Sequence, residues 1–274
     1  MAVLNNLPVA VIGAGPVGLA AAAHLIERGI EPLILETGST AGAAIEQWRH
    51  IRLFSPWRYN TDAAAVRLLA GTGWESPEPT VLPTGGELID QYLTPLAALP
   101  AIASRLTTGA RVVAVTRQGM DKTHSRDRNT TPFVVRVEHT DGEVRDYQAA
   151  AVIDASGTWS TRNPLGTSGL PALGEAAAAD RISAPLPDVL GHDRKTFEGR
   201  TALVVGAGHS AANTLISLSE LAAEASGTKI VWAIRGASAA GSAPACADWS
   251  RPVPSNCTPA SGSPPSQRPT APSP

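Results

Sequence analysis

Gly13, Gly15 and Gly18 follow the apolar run Val9–Ile12 in the spacing G-x-G-x-x-G, and the acid Glu36 ends the next apolar run. Residues of these types in this order suit the binding of a dinucleotide. Gly13 permits a tight turn, Gly15 lets backbone N–H groups approach a pyrophosphate, and Gly18 lets the following helix pack closely on the strand. Pro16 and Val17 complete the loop and open that helix. A carboxylate about twenty residues past the glycines accepts hydrogen bonds from a ribose 2′-OH. A second set has the same form: Gly206, Gly208 and Ala211, with His209 and Ser210 between them, follow the run Thr201–Val205. Ala211 replaces the third glycine, a variant the fingerprint allows, and Ser210 is placed to help cap the helix. Here the following run ends in Arg235 instead of an acid, and an arginine there accommodates a 2′-phosphate, which points to NADPH. His209 either touches the nicotinamide nucleotide or faces solvent.

Strands and helices must hold these groups. Val9–Ile12 is short, β-branched and bounded by glycine, as an inner parallel strand is. An Ala-rich helix then runs to a stop at Gly29, and residues 31–36 form the next strand. The second set repeats this order, with a helix carrying Leu215, Leu218 and Leu221, a stop at Gly227 and a strand over residues 229–235. Between the two sets, residues 62–69 read as a helix, residues 71–85 as a surface connection, and residues 86–99 as a helix that Pro95 kinks or shortens. Residues 111–117, 132–139 and 144–149 make a β-meander, with an Asp141-Gly142 turn and a polar loop over 119–131. A further buried strand over 149–154 ends in Ala155, Ser156 and Gly157, small enough for a cofactor's close approach. Ser156 lacks the G-x-S-x-G surroundings of a nucleophile. Trp48, Arg49, His50, Arg52 and Trp57 cluster in one loop; arginines suit a diphosphate and tryptophans suit ring stacking, with core packing the alternative for any one of them. No side chain is marked as catalytic and no metal site is expected.

At 274 residues and 43% hydrophobic content the chain can bury real cores, and its formal net charge of −2 offers no footprint for nucleic acid or an anionic membrane. No uncharged apolar stretch is long enough to span a bilayer, and Pro8 and Gly13 interrupt the only candidate signal region. The two cysteines, Cys246 and Cys257, form neither a disulfide framework nor a C-x-x-C pair. A cytoplasmic location is the expectation.

The two glycine sets and the residues between them resemble the flavoproteins with two dinucleotide-binding domains, a family containing flavin-containing monooxygenases, Baeyer–Villiger monooxygenases and thioredoxin reductases. VIGAGPVGLAAAAHL is similar to the FAD fingerprint, VIDASGTWS to the strand end that returns past the flavin, and FEGRTALVVGAGHSA to the NADPH fingerprint; HIRLFSPWRYN is similar to bacterial flavoprotein monooxygenases. The resemblance covers roughly residues 8–236. It implies an α/β fold: a Rossmann-like FAD domain over 1–198 with a parallel sheet and the meander at about 111–149, plus a partial inserted NADPH-binding unit over 199–236. FAD would be held by Gly13, Gly15, Pro16, Val17, Gly18, Glu36, Trp48, Val112, Ala155, Ser156 and Gly157. NADPH would be held by Gly206, Gly208, His209, Ser210, Ala211 and Arg235. The implied activity is an FAD-dependent, NADPH-using oxidoreductase of the monooxygenase type, acting on a small molecule with O₂, with a homodimer as one assembly open to it. Two departures stand against this pattern: there is no C-x-x-C dithiol, and no F-x-G-x-x-x-H signature between Leu165 and Phe197. The tail over 237–274 is rich in Pro, Ser and Ala and is expected to be disordered, as in a truncated or frame-shifted product. The alternatives are therefore a non-catalytic remnant that binds FAD weakly or not at all, and an NADPH-dependent electron-transfer reductase.

Overall fold

In a computed structural model, which describes residue 4, residues 6–234 and the backbone of residues 257–260, the chain divides into two compact units, Met1–Arg162 and Asn163–Pro274. In chain order the first holds β1 (Val9–Ile12), α1 (Pro16–Glu27), β2 (Pro32–Leu35), α2 (Ala43–Glu46), α3 (Ala63–Leu69), α4 (Gly85–Leu88), α5 (Thr94–Ala98) and α6 (Pro100–Ala103). It continues with β3 (Leu106–Thr107), β4 (Ala110–Arg117), β5 (Phe133–His139), β6 (Val144–Ala149) and β7 (Ala151–Asp154). The sheet β3-β2-β1-β7 is parallel throughout, with Val9 opposite both Pro32 and Ala151. Strands β4, β5 and β6 form the expected antiparallel meander, with a bulge between Val112 and Ala114.

A parallel sheet must be covered on both faces, and successive residues of β1 and β2 serve the two sides. Val11 and Ile34 pack with Leu19, Leu69, Tyr92, Leu96 and Ile102 on the helical side. Ala10 and Leu35 pack with Val135, Val137 and Ala149 of the meander on the other.

Local signals set the helix ends. Asp62 caps α3 by accepting hydrogen bonds from the Ala64 and Ala65 N–H groups at 2.8 and 3.2 Å, and Thr84 and Glu87 form a reciprocal capping box at α4. Residues 86–99 are not one helix: α4 passes through a π-helical turn, Ile89–Leu93, into α5. Pro95 has no N–H for the Gln91 carbonyl, and the Trp74 indole N–H donates to that carbonyl at 2.7 Å instead.

The second unit holds α7 (Arg194–Phe197), β8 (Thr201–Val205), α8 (His209–Glu224), β9 (Lys229–Ala233) and β10 (Cys257–Ala260), in a parallel sheet ordered β10-β9-β8. Val204, Leu218, Leu221 and Ile230 form its core, with Val189 also buried and Phe197 packed against it. Leu203 and Val205 alternate to the opposite face and are exposed. Arg235, Cys246 and, apart from that backbone stretch, the tail over 237–274 lie outside the described residues. Among the described residues no helix is long and apolar enough to cross a membrane, and no cluster of His, Cys, Asp or Glu is placed to hold a metal ion.

Candidate functional site

β1 ends at Gly13, whose N–H donates to the Leu35 carbonyl at 2.8 Å. Gly13 lies at φ +99°, and a Cβ there would sit 2.7 Å from the Ala155 carbonyl oxygen, so turn and neighbour together demand glycine. Gly18 sits within α1 with its Cα under the Gly13 carbonyl; a Cβ would meet that oxygen at 1.9 Å. Gly15 differs in kind. It is the N-cap of α1 with ordinary extended backbone, and a Cβ there would meet nothing within 4 Å. Its side is left open, at the end of the helix where the first-turn N–H groups have no intrahelical partner. Pro16 occupies the first helical position, where a missing N–H costs nothing, and Val17 beside it is 69% exposed.

Glu36 closes the other side. Its Oε2 accepts the Ala14 N–H at 2.6 Å and its Oε1 accepts the Gly38 N–H at 2.8 Å, so the carboxylate ties the end of β2 to the glycine turn. The Ala14 carbonyl in turn accepts the Gly42 N–H at 3.0 Å. Two of the carboxylate's roughly four acceptor positions are used, and the others can serve a ribose hydroxyl. The third wall is the end of β7: the Ala155 N–H donates to the Ile12 carbonyl at 2.9 Å, and Gly157 follows at φ +70°. Asp154 Oδ1 accepts the Ser156 hydroxyl at 2.6 Å and the Ser156 N–H at 3.1 Å, and these two donors hold its carboxyl below the usual range. Ser156 is thus engaged in a local turn. β1 is flanked by β2 on one side and β7 on the other, and the crevice at such a divergence is where open α/β sheets take ligands.

Gly13, Gly15, Gly18, Glu36, Ala155, Ser156 and Gly157 therefore come together. Trp48 is half-buried against the helical core, tilted on Trp159 at 6.3 Å and close over Gly85. Val112 lies on β4 at the edge of the meander cluster. Within the aromatic and basic loop, Trp57 is core, Arg49 pairs with Glu46 and Asp90 at 2.8 and 2.9 Å, and Arg52 donates to the Leu82 carbonyl. Sequence reasoning missed Ala14, Gly38 and Gly42. The two glycines of the short loop, Gly38 and Gly42, were a signal available in the sequence, and in the structure Gly42 lies at φ +74°.

The second turn repeats the first. Gly206 lies at φ +115° and its N–H donates to the Ala233 carbonyl at 2.9 Å, the counterpart of Gly13 to Leu35. Gly208 is the N-cap of α8, with backbone angles close to those of Gly15, and a Cβ there would likewise meet nothing within 4 Å. Gly208, and not Ser210, thus holds the capping position. Ala211 packs against the core of this unit. His209 opens α8, and Arg235 is beyond the described residues.

The family described as Pyridine nucleotide-disulphide oxidoreductase matches residues 10–253. A search of curated proteins by sequence returned no match. Among solved structures, a bacillithiol disulfide reductase from Bacillus cereus is similar at 20% identity and a TM-score of 0.56, over 85% of this chain and 59% of that one. A flavin-containing monooxygenase from Stenotrophomonas maltophilia is similar at 23% identity and 0.51, over 85% and 59%. S-allyl-L-cysteine S-oxygenase from Allium sativum is similar at 17% identity and 0.55, over 92% and 55%. The chain thus spans less than two thirds of the length of these structures, whose fold it shares. With two glycine turns of this geometry and a match across most of its length, the chain belongs to the pyridine nucleotide-disulphide oxidoreductase family.

Proposed function

We propose that the Gly13–Gly18 turn binds FAD, that the Gly206–Ala211 turn binds NADPH, and that the chain serves an FAD-dependent oxidoreductase of the monooxygenase type acting on a small molecule. The observation that carries this reading is the open side of Gly15 at the N-terminus of α1, beside a Glu36 carboxylate already fixed by two backbone N–H groups. When bound, this cofactor pair supplies hydride transfer to a flavin and, in a monooxygenase, delivery of one atom of O₂ to the substrate. The first turn of α1 offers backbone donors and a positive dipole end to a pyrophosphate, Glu36 offers acceptors to a ribose, and Ala155–Gly157 keep the strand end low enough for close approach. Pro16, Val17, Trp48 and Val112 fill out this site in the reading. Gly208, His209, Ser210 and Arg235 belong to the nucleotide site of a unit over 199–236. A cytoplasmic location and a homodimer go with it.

An NADPH-dependent electron-transfer reductase is the second reading, favoured by the family description and by the likeness to a disulfide reductase. The purified chain is to be reconstituted with FAD, its visible spectrum recorded, and NADPH oxidation followed with and without O₂. Substrate-dependent O₂ uptake selects the monooxygenase. NADPH oxidation driven by a disulfide or protein acceptor without O₂ uptake selects the reductase. A chain that stays colourless overturns both and leaves a non-catalytic remnant.

A further inference from the structure

The two glycine turns match at their first N–H and at their helix caps, and they differ in where the first glycine's carbonyl goes. In the first turn the Gly13 carbonyl lies over Gly18, so close that a Cβ there would meet the oxygen at 1.9 Å. The second turn has a methyl at that place, because Ala211 stands where Gly18 stands in the first. A Gly206 carbonyl placed like that of Gly13 would collide with it. In the second turn the Gly206 carbonyl instead accepts a hydrogen bond from the Trp232 indole N–H at 2.7 Å. Trp232 sits on β9, the strand that also receives the Gly206 N–H at Ala233, and its ring packs on the same core as Ala211. The Gly206 peptide is therefore held on both sides, by Ala233 on its N–H and by Trp232 on its carbonyl.

We infer that Trp232 is the positioning residue of the second turn, taking the part that close packing of the third glycine plays in the first. By fixing the Gly206 carbonyl, the indole fixes the direction of the chain through Gly208 into α8, and with it the aim of the N–H groups that meet a pyrophosphate. The inference rests on the reading that this turn binds a pyridine dinucleotide, and its effect is on nucleotide affinity at this turn and not at Gly13–Gly18.

The full chain is tested as wild type, Trp232→Phe, Ala211→Gly and the double variant, by titration with NADP⁺ and by amide hydrogen exchange over residues 206–210. Phenylalanine keeps an aromatic ring, smaller than the indole, on the same core and removes the donor. The loss of one hydrogen bond to a partly buried carbonyl is expected to weaken NADP⁺ binding about fivefold and to quicken exchange in the turn by a similar factor. Ala211→Gly lets the carbonyl take the Gly13 placement, so in that background Trp232→Phe costs less than about twofold in either measurement. Flavin content stays at the wild-type level in all four. A Trp232→Phe chain with unchanged exchange overturns the inference, and so does a loss that Ala211→Gly leaves in full, which would mark the ring as packing alone. If wild type takes up no NADP⁺, the functional reading of this turn fails. The exchange measurement still decides whether Trp232 sets the turn.

Discussion

Two alanine substitutions in the first turn, Gly15→Ala and Gly18→Ala, separate folding from binding. At Gly18 a methyl would lie 1.9 Å from the Gly13 carbonyl oxygen and 2.9 Å from its carbon, both backbone atoms that cannot swing aside, whereas real Cβ contacts essentially never fall below 3.0 Å. The turn must shift by about 1 Å, an overpacking cost of about 1–3 kcal/mol, which outweighs the gain of about 1 kcal/mol in helix propensity from glycine to alanine. Gly18→Ala is therefore expected to lose stability in urea unfolding. Gly15→Ala adds a methyl that meets nothing within 4 Å, on backbone angles open to any residue. Its unfolded-state gain of about 0.4–1 kcal/mol offsets a similar loss at the N-cap, so stability stays within about 0.5 kcal/mol of wild type. The same methyl occupies the side proposed for the pyrophosphate, so FAD affinity is expected to fall roughly tenfold to a hundredfold, the equivalent of about 1–3 kcal/mol of overpacking in a bound state. Urea unfolding followed by far-UV circular dichroism gives the first quantity and fluorimetric titration with FAD the second. A Gly15→Ala chain that keeps wild-type FAD affinity, or that unfolds as readily as Gly18→Ala, refutes the reasoning.

Glu36→Gln keeps one carbonyl acceptor but loses the charge and one of the two bonds to Ala14 and Gly38; stability is expected to drop by about 1–2 kcal/mol, with weaker FAD binding by titration. Asp62→Ala removes the cap of α3 and the contact to His24 at 3.1 Å, at a cost of about 1 kcal/mol at neutral pH. Partial burial raises the Asp62 carboxyl, but the Ala65 and Ala64 N–H groups and His24 together bring it below its ordinary value of 3.8. A depressed acid contributes its stability above the unfolded value and loses it as pH falls through the folded one. The gap between wild type and Asp62→Ala in urea unfolding is therefore expected to hold from pH 7 to about 5 and to narrow below about 4.

β1, α1 and β2 were legible because an apolar β-branched run, a glycine spacing and an acid are all local signals, and the meander because its alternation and Asp141-Gly142 turn are local too. What escaped depends on chain segments distant in sequence. The two-residue β3 is too short to carry a period, and it exists because Ile34 and Leu35 of β2 leave an edge for it. Residues 86–99 carry a continuous helical stripe, and the chain passes Pro95 through a π-helical turn whose Gln91 carbonyl is taken up by the indole of Trp74, brought across from the preceding loop. Glu36 was readable as a ribose acceptor in waiting and its bond to Gly38 is local, but its tie to Ala14 depends on the parallel pairing of β1 with β2. The same blindness affects the loop around Trp48. Composition alone does not distinguish Trp57, which is core, from Trp48, which stays half-exposed beside Trp159.

The pairing of β1 with β7 also orders events in time. Val9 pairs with Pro32, which is near in sequence, whereas its other neighbour, Ala151, comes only after the helices and the whole meander. Closing a loop of that length is slow and entropically costly compared with forming the hairpins inside it. Until it closes, Ala10 and Val11 have one strand beside them, and the Gly13 turn lacks the Ala155–Gly157 wall. A chain that ends before Asp154 therefore carries the glycine turn and Glu36 without the third wall of the crevice, and cofactor binding must wait on the last strand to join the sheet.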